Sequence, residues 1–384
     1  MRITGLEVTI VSVPFTQPET WVWGRRHGIT NALVEVFTDE GVTGIGECPG
    51  HPHVALVGEV LGAIAETIVG QDPLRIERIL GVLMARRGLH HFRHAANIAL
   101  GGVETALWDI AGKFADQPLA NLFGGRIRDR VPYYFYVPMA SSEEMAAAAA
   151  KGAARGFETI YLKSGFDRQK DVADVAAVRD AVGSQVNLRI DANEAWSVAE
   201  AISIARELEP YDLEFIEQPV SMYDIDGLAR VRRAVRTPIA ANQAAWLEFD
   251  VLEIVRRRAA DVILTCPHQL HGLLAFRKVA GLCELAGLPI IKHSFGDLGI
   301  TTLAAAQVLS TLPAATLANQ THYNLLDDDV IAGGPPVFEG GALAAPGGPG
   351  IRARLDPDRV ARYAETYRRE GEFEVYGRVD RPPP

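Results

Sequence analysis

Two stretches decide the fold of this chain: residues 187–193, with the sequence NLRIDAN, and residues 215–219, with the sequence FIEQP. Each is a short, mostly apolar run that ends on a carboxylate, Asp191 in the first and Glu217 in the second. This pattern is typical of a buried parallel strand whose carboxyl end opens on a polar site. Similar runs recur along the chain in both directions, with helical segments between them. We predict eight strands, at residues 132–137, 159–163, 187–191, 215–217, 239–242, 262–265, 289–293 and 315–319.

The predicted strands recur at a regular interval. Their last residues are about 26 residues apart, the length that one strand–helix unit occupies, and repeated right-handed units of this kind close into a barrel. An open doubly wound sheet would carry a glycine-rich phosphate loop after its first strand, and the sequence has none there. We therefore predict an α/β fold built on a TIM-type barrel.

The chain before the barrel has a different pattern. Alternation of apolar and polar residues predicts three strands, at 4–11, 32–37 and 42–47. Apolar residues at helical spacing predict three helices, at 54–69, 75–86 and 95–114. We predict an N-terminal α+β capping domain (1–125), a barrel domain (126–330), and a glycine- and proline-rich segment (331–384) that closes back on the capping domain.

Composition excludes several classes of protein. The 384 residues carry a formal net charge of −10, which argues against a general binder of nucleic acid or of anionic membranes. The three cysteines, Cys48, Cys266 and Cys283, are too widely spaced for a disulfide framework or a zinc knuckle. No apolar run approaches the ~20 residues that a membrane span needs. We expect a cytoplasmic protein that binds neither nucleic acid nor membranes.

Polar residues stand at the ends of the predicted strands after the first, where barrel enzymes hold their active sites. They are Lys163, Asp191, Glu217, Asn242, Cys266, His293 and Asn319. Taken alone, Asp191 would suit a helix N-cap and Glu217 a salt bridge. Together with Asn242 they offer three oxygen ligands from consecutive strands, a set that suits Mg²⁺.

Lys163 and His293 flank this predicted metal site, on the second and seventh strands. A lysine in a cationic pocket can serve as a base, and a histidine opposite it can serve as an acid or as a second base. Such groups on two sides of a metal-held carboxylate suit removal of the proton α to that carboxylate, with the metal stabilising the enediolate.

The sequence resembles the mandelate racemase/muconate lactonizing branch of the enolase superfamily along nearly its whole length. The matching stretches are residues 39–47 (DEGVTGIGE), 106–113 (ALWDIAGK), 122–125 (LFGG), 191–193 (DAN), 216–219 (IEQP) and 293–294 (HS). The resemblance implies a modified (β/α)₇β barrel behind a capping domain, one Mg²⁺ per active site, a small carboxylate substrate, and a homo-oligomer, either a dimer or an octamer.

The resemblance also assigns roles to single residues. Lys163 falls on the second lysine of the family's K-x-K motif, the usual base, and Tyr161 takes the place of the first lysine. Asp191 and Glu217 fall on the first two metal ligands, and Asn242 falls on the third, which is usually acidic. The missing carboxylate leaves the site one unit less negative, which favours a doubly charged intermediate or a diacid.

His293 matches the histidine that pairs, in racemase-type members, with an aspartate after the sixth strand, and Cys266 stands in that aspartate's place. His268 or His271 could replace the missing partner, or His293 could only donate a proton to a leaving hydroxyl. Cys266 itself suits a packing residue equally well. Asn319 matches a glutamate that binds the substrate carboxylate, and Asn193 is a further candidate for substrate binding.

Two loops, at about 15–30 and 48–55, cover the site and set specificity in this family. Trp23, Arg25 and Arg26 lie in the first loop and His51 in the second. The two arginines would suit a distal carboxylate or hydroxyl groups, although a plain surface loop is an equal alternative.

From these residues we predict a Mg²⁺-dependent dehydratase that converts a hydroxy or sugar acid to a 2-keto acid, with Lys163 as base and His293 as acid. A racemase or epimerase is the first alternative. A cycloisomerase is weakened by the absence of a lysine near Thr265. The changes at Tyr161, Cys266 and Asn242 also leave open a metal-binding member that has lost catalysis.

Overall fold

The structure, a computed structural model, describes residues 1–373. The chain begins with a three-stranded antiparallel sheet in the order β1–β2–β3, formed by Ile3–Trp21, Gly24–Thr38 and Thr43–Pro49. Three helices follow, α1 (Val54–Ile68), α2 (Ile76–Arg86) and α3 (Arg93–Phe114). The predicted strands and helices of this region are present, but β1 and β2 extend far beyond their predicted ends. Residues 15–30, expected as a loop, are therefore mostly a β-hairpin.

Glycines allow the β3 strand to lie against the α3 helix. A Cβ atom added to Gly46 would lie 2.0 Å from the Gly102 carbonyl oxygen, and one added to Gly44 would lie 2.1 Å from the Ala106 oxygen. The two backbones are therefore closer than any side chain would permit. The helix packs the apolar face of the sheet into a separate core, which includes Val34, Val36 and Leu107.

The remaining elements alternate between strands and helices. After α4 (Leu119–Leu122) and β4 (Arg130–Pro132), the barrel strands are β5 (Phe135–Val137), β6 (Thr159–Lys163), β7 (Asn187–Asp191), β8 (Phe215–Glu217), β9 (Ile239–Ala241), β10 (Val262–Thr265) and β11 (Ile290–Lys292). The helices that follow them are α5 (Ser142–Ala154), α6 (Arg168–Val182), α7 (Val198–Leu208), α8 (Ile225–Ala234), α9 (Glu248–Arg257), α10 (Leu273–Ala286) and α11 (Gly299–Leu309). The seven strands form one parallel sheet in the order β11–β10–β9–β8–β7–β6–β5. The predicted α/β fold is confirmed.

The predicted eighth strand, at 315–319, is an extended segment rather than a regular strand. It still lies between β11 and β5, because the Gln320 amide donates to the Lys292 carbonyl and the Tyr134 amide donates to the Asn319 carbonyl. The Asn319 side chain takes the place of backbone hydrogen bonds between strands. It accepts a bond from the Lys292 amide at 2.8 Å and donates one to the Pro132 carbonyl at 3.1 Å. The barrel therefore closes partly through a side chain.

The predicted first barrel strand, at 132–137, is divided. Its beginning belongs to β4, which pairs with β12 (Ala342–Ala344) outside the barrel, and only β5 enters the parallel sheet. Pro132 lies at the division, and proline has no amide hydrogen to donate to a ladder.

A final helix, α12 (Pro357–Glu370), lies against β1 of the capping sheet. The last part of the predicted closing segment, residues 374–384, lies outside the described residues. Within residues 1–373, no helix combines the length and the apolar character needed to cross a bilayer.

Candidate active site

A cavity opens at the carboxyl ends of the barrel strands, beneath the β1–β2 hairpin. It holds about 600 Å³ of space, including the part open to solvent. Five residues predicted for the site contribute to its lining: Arg26, Lys163, Asn193, Asn242 and His293. The rest of the lining consists of Glu19, Trp21, His51, Gln243, Trp246, Gln269, Ser294, Phe295, Gln320 and His322.

Lys163, Asp191 and Glu217 are neighbours across three adjacent strands. The parallel register pairs Lys163 with Asp191 and Asp191 with Glu217. Lys163 Nζ lies 2.5 Å from Asp191 Oδ2, and the Tyr161 hydroxyl donates to the same oxygen at 2.6 Å. Lys163 Nζ also donates to Asn193 Oδ1 at 3.0 Å. The lysine is therefore held at the floor of the cavity, with Tyr161 buried beside it.

Glu217 differs from Lys163 and Asp191 because its side chain makes no hydrogen bond to the described residues. It is fully buried, and neither carboxylate oxygen has a hydrogen-bond partner among the described residues. Burial, followed by the nearby charge of Asp191, raises the pKa of Glu217 well above its usual value, and Lys163, Arg189 and Tyr161 offset this rise only in part. A buried, unpartnered carboxylate is costly unless a cation compensates it.

The residues around Glu217 fit a divalent cation. Asp191 Oδ1 accepts one bond, from the Asn193 amide at 2.8 Å, which leaves that oxygen a further lone pair. Asn242 donates through its amide nitrogen to the Leu264 carbonyl at 3.3 Å, so that its oxygen remains as the atom for a ligand. Residues 1–373 contain no group of three or more His, Cys, Asp or Glu with metal-binding geometry, and the third candidate ligand here is an asparagine. Oxygen ligands that include an amide suit Mg²⁺.

Two unusual backbone conformations hold these side chains in place. Asn193 and Gln218, which follow the two carboxylates, have positive φ angles of 44° and 33°. Non-glycine residues rarely adopt this region, and it is concentrated at functional sites. Gln218 is also tied to the third strand end, since its Oε1 accepts from the Asn242 amide at 3.0 Å. The strained backbone at Asn193 and Gln218 therefore lies where the three candidate ligands are held in a fixed arrangement.

His293 lies directly after β11, and its backbone amide donates to the Thr265 carbonyl at 2.9 Å. Its ring is edge-on to Phe295, and ring Nδ1 has no partner within residues 1–373. Burial, and then the charges of Lys163 and Lys292, lower the pKa of His293 well below its usual value. The imidazole is consequently neutral at neutral pH.

The two histidines considered as partners for His293 contact other residues. The His268 ring lies 3.2 Å from Thr301 Oγ1, and the His271 ring lies 3.0 Å from Arg93. His268 is buried away from the cavity lining. Neither histidine therefore orients the His293 ring in place of the missing aspartate.

Asp191, Glu217 and Tyr161 lie outside the cavity lining, and so do four further candidates. Cys266 is buried at 1% exposure, Asn319 closes the barrel, and Arg25 is exposed on the hairpin. Trp23 makes a different contact, since its Nε1 donates to the Asn193 carbonyl at 2.6 Å. This bond joins the hairpin tip to the end of β7.

The hairpin contributes a charged pair to the cavity wall, and we call it the hairpin pair. Glu19 and Arg26 are opposite each other in the β1–β2 register and form a buried ion pair. Glu19 also accepts from the Tyr136 hydroxyl and lies 3.5 Å from His322 Nε2. Sequence reasoning missed Glu19, because β1 was predicted to end at residue 11, and it missed His322, which lies three residues beyond the predicted eighth strand.

Sequence reasoning also missed the three glutamines and most of the aromatic residues of the lining. Gln243, Gln269 and Gln320 each follow a predicted strand end by one to four residues. Scanning a few residues beyond each strand end would have found all three.

Comparison with known proteins identifies the family. Residues 5–124 match the family described as "Mandelate racemase / muconate lactonizing enzyme, N-terminal domain", and residues 144–359 match "Enolase C-terminal domain-like". The chain is 32% identical to the hydrophobic dipeptide epimerase of Enterococcus faecalis, over 80% of this chain and 88% of that protein. It is 27% identical to the arabinonate dehydratase of Saccharolobus solfataricus, over 85% and 88% of the two chains.

A solved structure extends the likeness to the whole fold. An enolase from Thermobispora bispora, complexed with magnesium and formate, superposes with a TM-score of 0.89 at 32% identity, over 97% of this chain and 95% of that one. Epimerases, cycloisomerases and a dehydratase all occur among the relatives. The chain belongs to the mandelate racemase/muconate lactonizing enzyme branch of the enolase superfamily.

Proposed function

We propose that this protein is a Mg²⁺-dependent dehydratase that converts a hydroxy acid, such as a sugar acid, to a 2-keto acid. One observation carries the proposal: Lys163 and His293 line the same cavity, and most of the remaining lining is neutral and able to form hydrogen bonds. Amides, histidines and aromatic faces are groups that hold hydroxylated molecules. A dehydratase of the family is also among the relatives.

The metal would be held by Asp191, Glu217 and Asn242. When bound, Mg²⁺ would stabilise the negative charge that develops on the substrate carboxylate as the α-proton leaves. The unpartnered oxygens of Glu217 support this assignment, because a cation satisfies both of them.

Lys163 is the base in this proposal. Its side chain is fixed by Asp191 and Asn193, and its Nζ atom lies 5.3 Å from the centre of the Tyr161 ring. A fixed amine at the cavity floor can take the proton from the α-carbon of a substrate whose carboxylate lies at the ligand cluster. Tyr161 supplies a neutral hydroxyl where other members carry a second lysine.

His293 is the acid. It is neutral in the empty site, and an anionic substrate nearby favours the imidazolium form, so the ring gains its proton when substrate binds. The α C–H bond breaks and its proton goes to Lys163. The β C–O bond breaks, the hydroxyl takes the proton of His293 and leaves as water, and the enol tautomerises to the 2-keto acid.

An epimerase is the second candidate, and the neutral state of His293 favours it. A neutral imidazole in the same cavity as Lys163 is ready to accept a proton, as two-base epimerisation requires. The hairpin pair argues against a dipeptide substrate. A dipeptide carries an ammonium group, which needs a carboxylate partner. Glu19 is the carboxylate in the described lining, and it is already paired with Arg26.

The two reactions separate when proton exchange and water loss are measured on the same samples. Mg²⁺-loaded protein is incubated in D₂O with a panel of sugar acids and hydroxy acids. NMR follows deuterium at the α-carbon, and a semicarbazide assay follows the 2-keto product. Lys163→Met should abolish both signals. His293→Asn should keep exchange but slow product formation by about 10²–10⁴-fold, the usual contribution of a general acid.

His27→Asn is the matched control, because His27 is an exposed histidine on the hairpin. It should leave both signals unchanged. Exchange with inversion and without water loss would replace dehydration by epimerisation. Silence across the panel, with Mg²⁺ bound, would overturn catalysis altogether and favour a metal-binding member that has lost it.

A further inference from the structure

We propose that the substrate carries a single carboxylate, and that the hairpin pair recognises uncharged hydroxyl groups at its far end. The inference rests on the proposed function and narrows the substrate class to polyhydroxylated monocarboxylic acids. It reverses the expectation of a diacid that the arginines and the asparagine ligand had suggested.

Arg26 is the arginine that reaches the cavity, and its guanidinium is already paired with a carboxylate. Its Nε donates to Glu19 Oε2, and Nη1 donates to the Phe295 carbonyl at 2.8 Å. The guanidinium carbon also lies 5.5 Å from the centre of the Phe15 ring. With 5% exposure, the side chain has little freedom to turn towards a second anion.

Glu19 remains ionised, so the charge of Arg26 remains compensated. Burial alone would raise the pKa of Glu19, but the charge of Arg26 and the hydrogen bonds from His322 and Tyr136 hold it well below its usual range. The Tyr136 hydroxyl donates to its second oxygen. The pair therefore presents the cavity with a dipole of no net charge.

The other titratable groups of the lining add no positive charge. Burial lowers the pKa of His51 to about 4, and it also lowers the pKa values of His293 and His322. Lys163 is paired with Asp191. A second substrate carboxylate would lose its hydration on binding, and the described lining offers no unpaired cation to replace it. The loss of hydration would therefore weaken binding.

The charges at the floor of the cavity lead to the same conclusion. Two carboxylates, Asp191 and Glu217, balance the charge of a divalent ion there, and Lys163 must be uncharged to act as the base. The floor therefore holds no spare positive charge for a second substrate carboxylate. Asparagine at 242 makes this balance possible, since a third acidic ligand would leave the floor negative before any substrate binds.

Neutral groups near the hairpin pair can bind hydroxyls. His322 lines the cavity, and its Nδ1 has no partner among residues 1–373. Gln269 and Gln320 also contribute to the lining. These are donors and acceptors suited to alcohols.

The test is calorimetric binding to the Mg²⁺-loaded protein, with acids paired so that only the far carbon differs. The pairs are gluconate and glucarate, galactonate and galactarate, and threonate and tartrate. In at least one pair the monoacid should bind about 100-fold more tightly than the diacid. The proposal would be overturned if, in the pair that binds most tightly, the diacid bound as tightly as the monoacid or more tightly. This test uses the wild-type protein and does not depend on the folding of any variant.

Glu19→Gln then tests the role of the pair. The amide keeps the shape of the side chain but leaves Arg26 uncompensated, so the preference should move at least tenfold towards the diacid. Arg25→Gln, on the exposed neighbour, should leave the preference unchanged. An unchanged preference in Glu19→Gln, with its thermal midpoint intact, would remove the pair from specificity.

Binding and turnover separate this inference from the proposed function. Monoacid preference without exchange or keto product would sustain the inference and refute the dehydratase. Dehydration of a diacid would sustain the dehydratase and refute the inference. If no acid of any pair binds, both fail.

Discussion

Glu217 provides a direct test of the metal site, because its buried charge should destabilise the protein without Mg²⁺ and stabilise it with Mg²⁺. The carboxylate is 0% exposed and its oxygens have no partner among the described residues. Glu217→Gln keeps the shape and removes the charge. In EDTA at pH 8 the variant should be more stable than the wild type by about 2 kcal/mol, within the range measured for an uncompensated buried group.

Mg²⁺ should reverse this order. A ligand at 100 times its dissociation constant adds about 2.7 kcal/mol to the free energy of unfolding, or about 3 °C in the thermal midpoint of a protein of this size. The wild type should gain this amount, and Glu217→Gln should gain much less. Thermal unfolding followed by circular dichroism, with and without Mg²⁺, measures all four values. Glu284→Gln is the control, since Glu284 is exposed, and it should behave as the wild type.

The pH dependence gives the same test a second readout. The folded-state pKa of Glu217 lies above the ordinary value of 4.5. Its contribution to stability is therefore fully present below that value and is lost as the pH rises through the raised pKa. In EDTA, the wild type should lose more stability between pH 5 and pH 8 than Glu217→Gln does. Parallel pH profiles, or a wild type indifferent to Mg²⁺, would refute the assignment of Glu217 as a ligand.

Two further predictions concern the capping domain. Gly46→Ala should lower the free energy of unfolding by about 3 kcal/mol in urea, because the added methyl group meets the Gly102 carbonyl. Gly62→Ala, in an open part of α1, should instead raise it by up to about 1 kcal/mol, and equal effects would contradict the close packing. Trp23→Phe removes the bond to the Asn193 carbonyl, worth about 1 kcal/mol, and should raise KM about fivefold with little change in thermal midpoint. An unchanged KM would show that the hairpin tip does not hold the site closed.

Much of the candidate site was readable from local pattern. Asp191 and Glu217 end short apolar runs, and parallel strands of a barrel bring such ends to one rim whatever the details of packing. Asn242 and His293, which follow the next strands in the same way, line the same cavity. Cys266 follows β10 in the same way, yet it is buried outside the lining, and Gln269 from the next turn takes part instead. A shift of a few residues in a turn is not visible in a pattern of apolar residues.

The sequence by itself determined the barrel, its capping domain and the candidate ligands, because these depend on periodicity and on strand ends, which are local. Only the tertiary structure decided what surrounds them. The pairing of Glu19 with Arg26 depends on hairpin register across a bulge, and its contacts with Tyr136 and His322 join residues far apart in sequence. Whether an arginine is free to bind a substrate or is already compensated depends on such contacts, since the field of a charge is set by its neighbours in space.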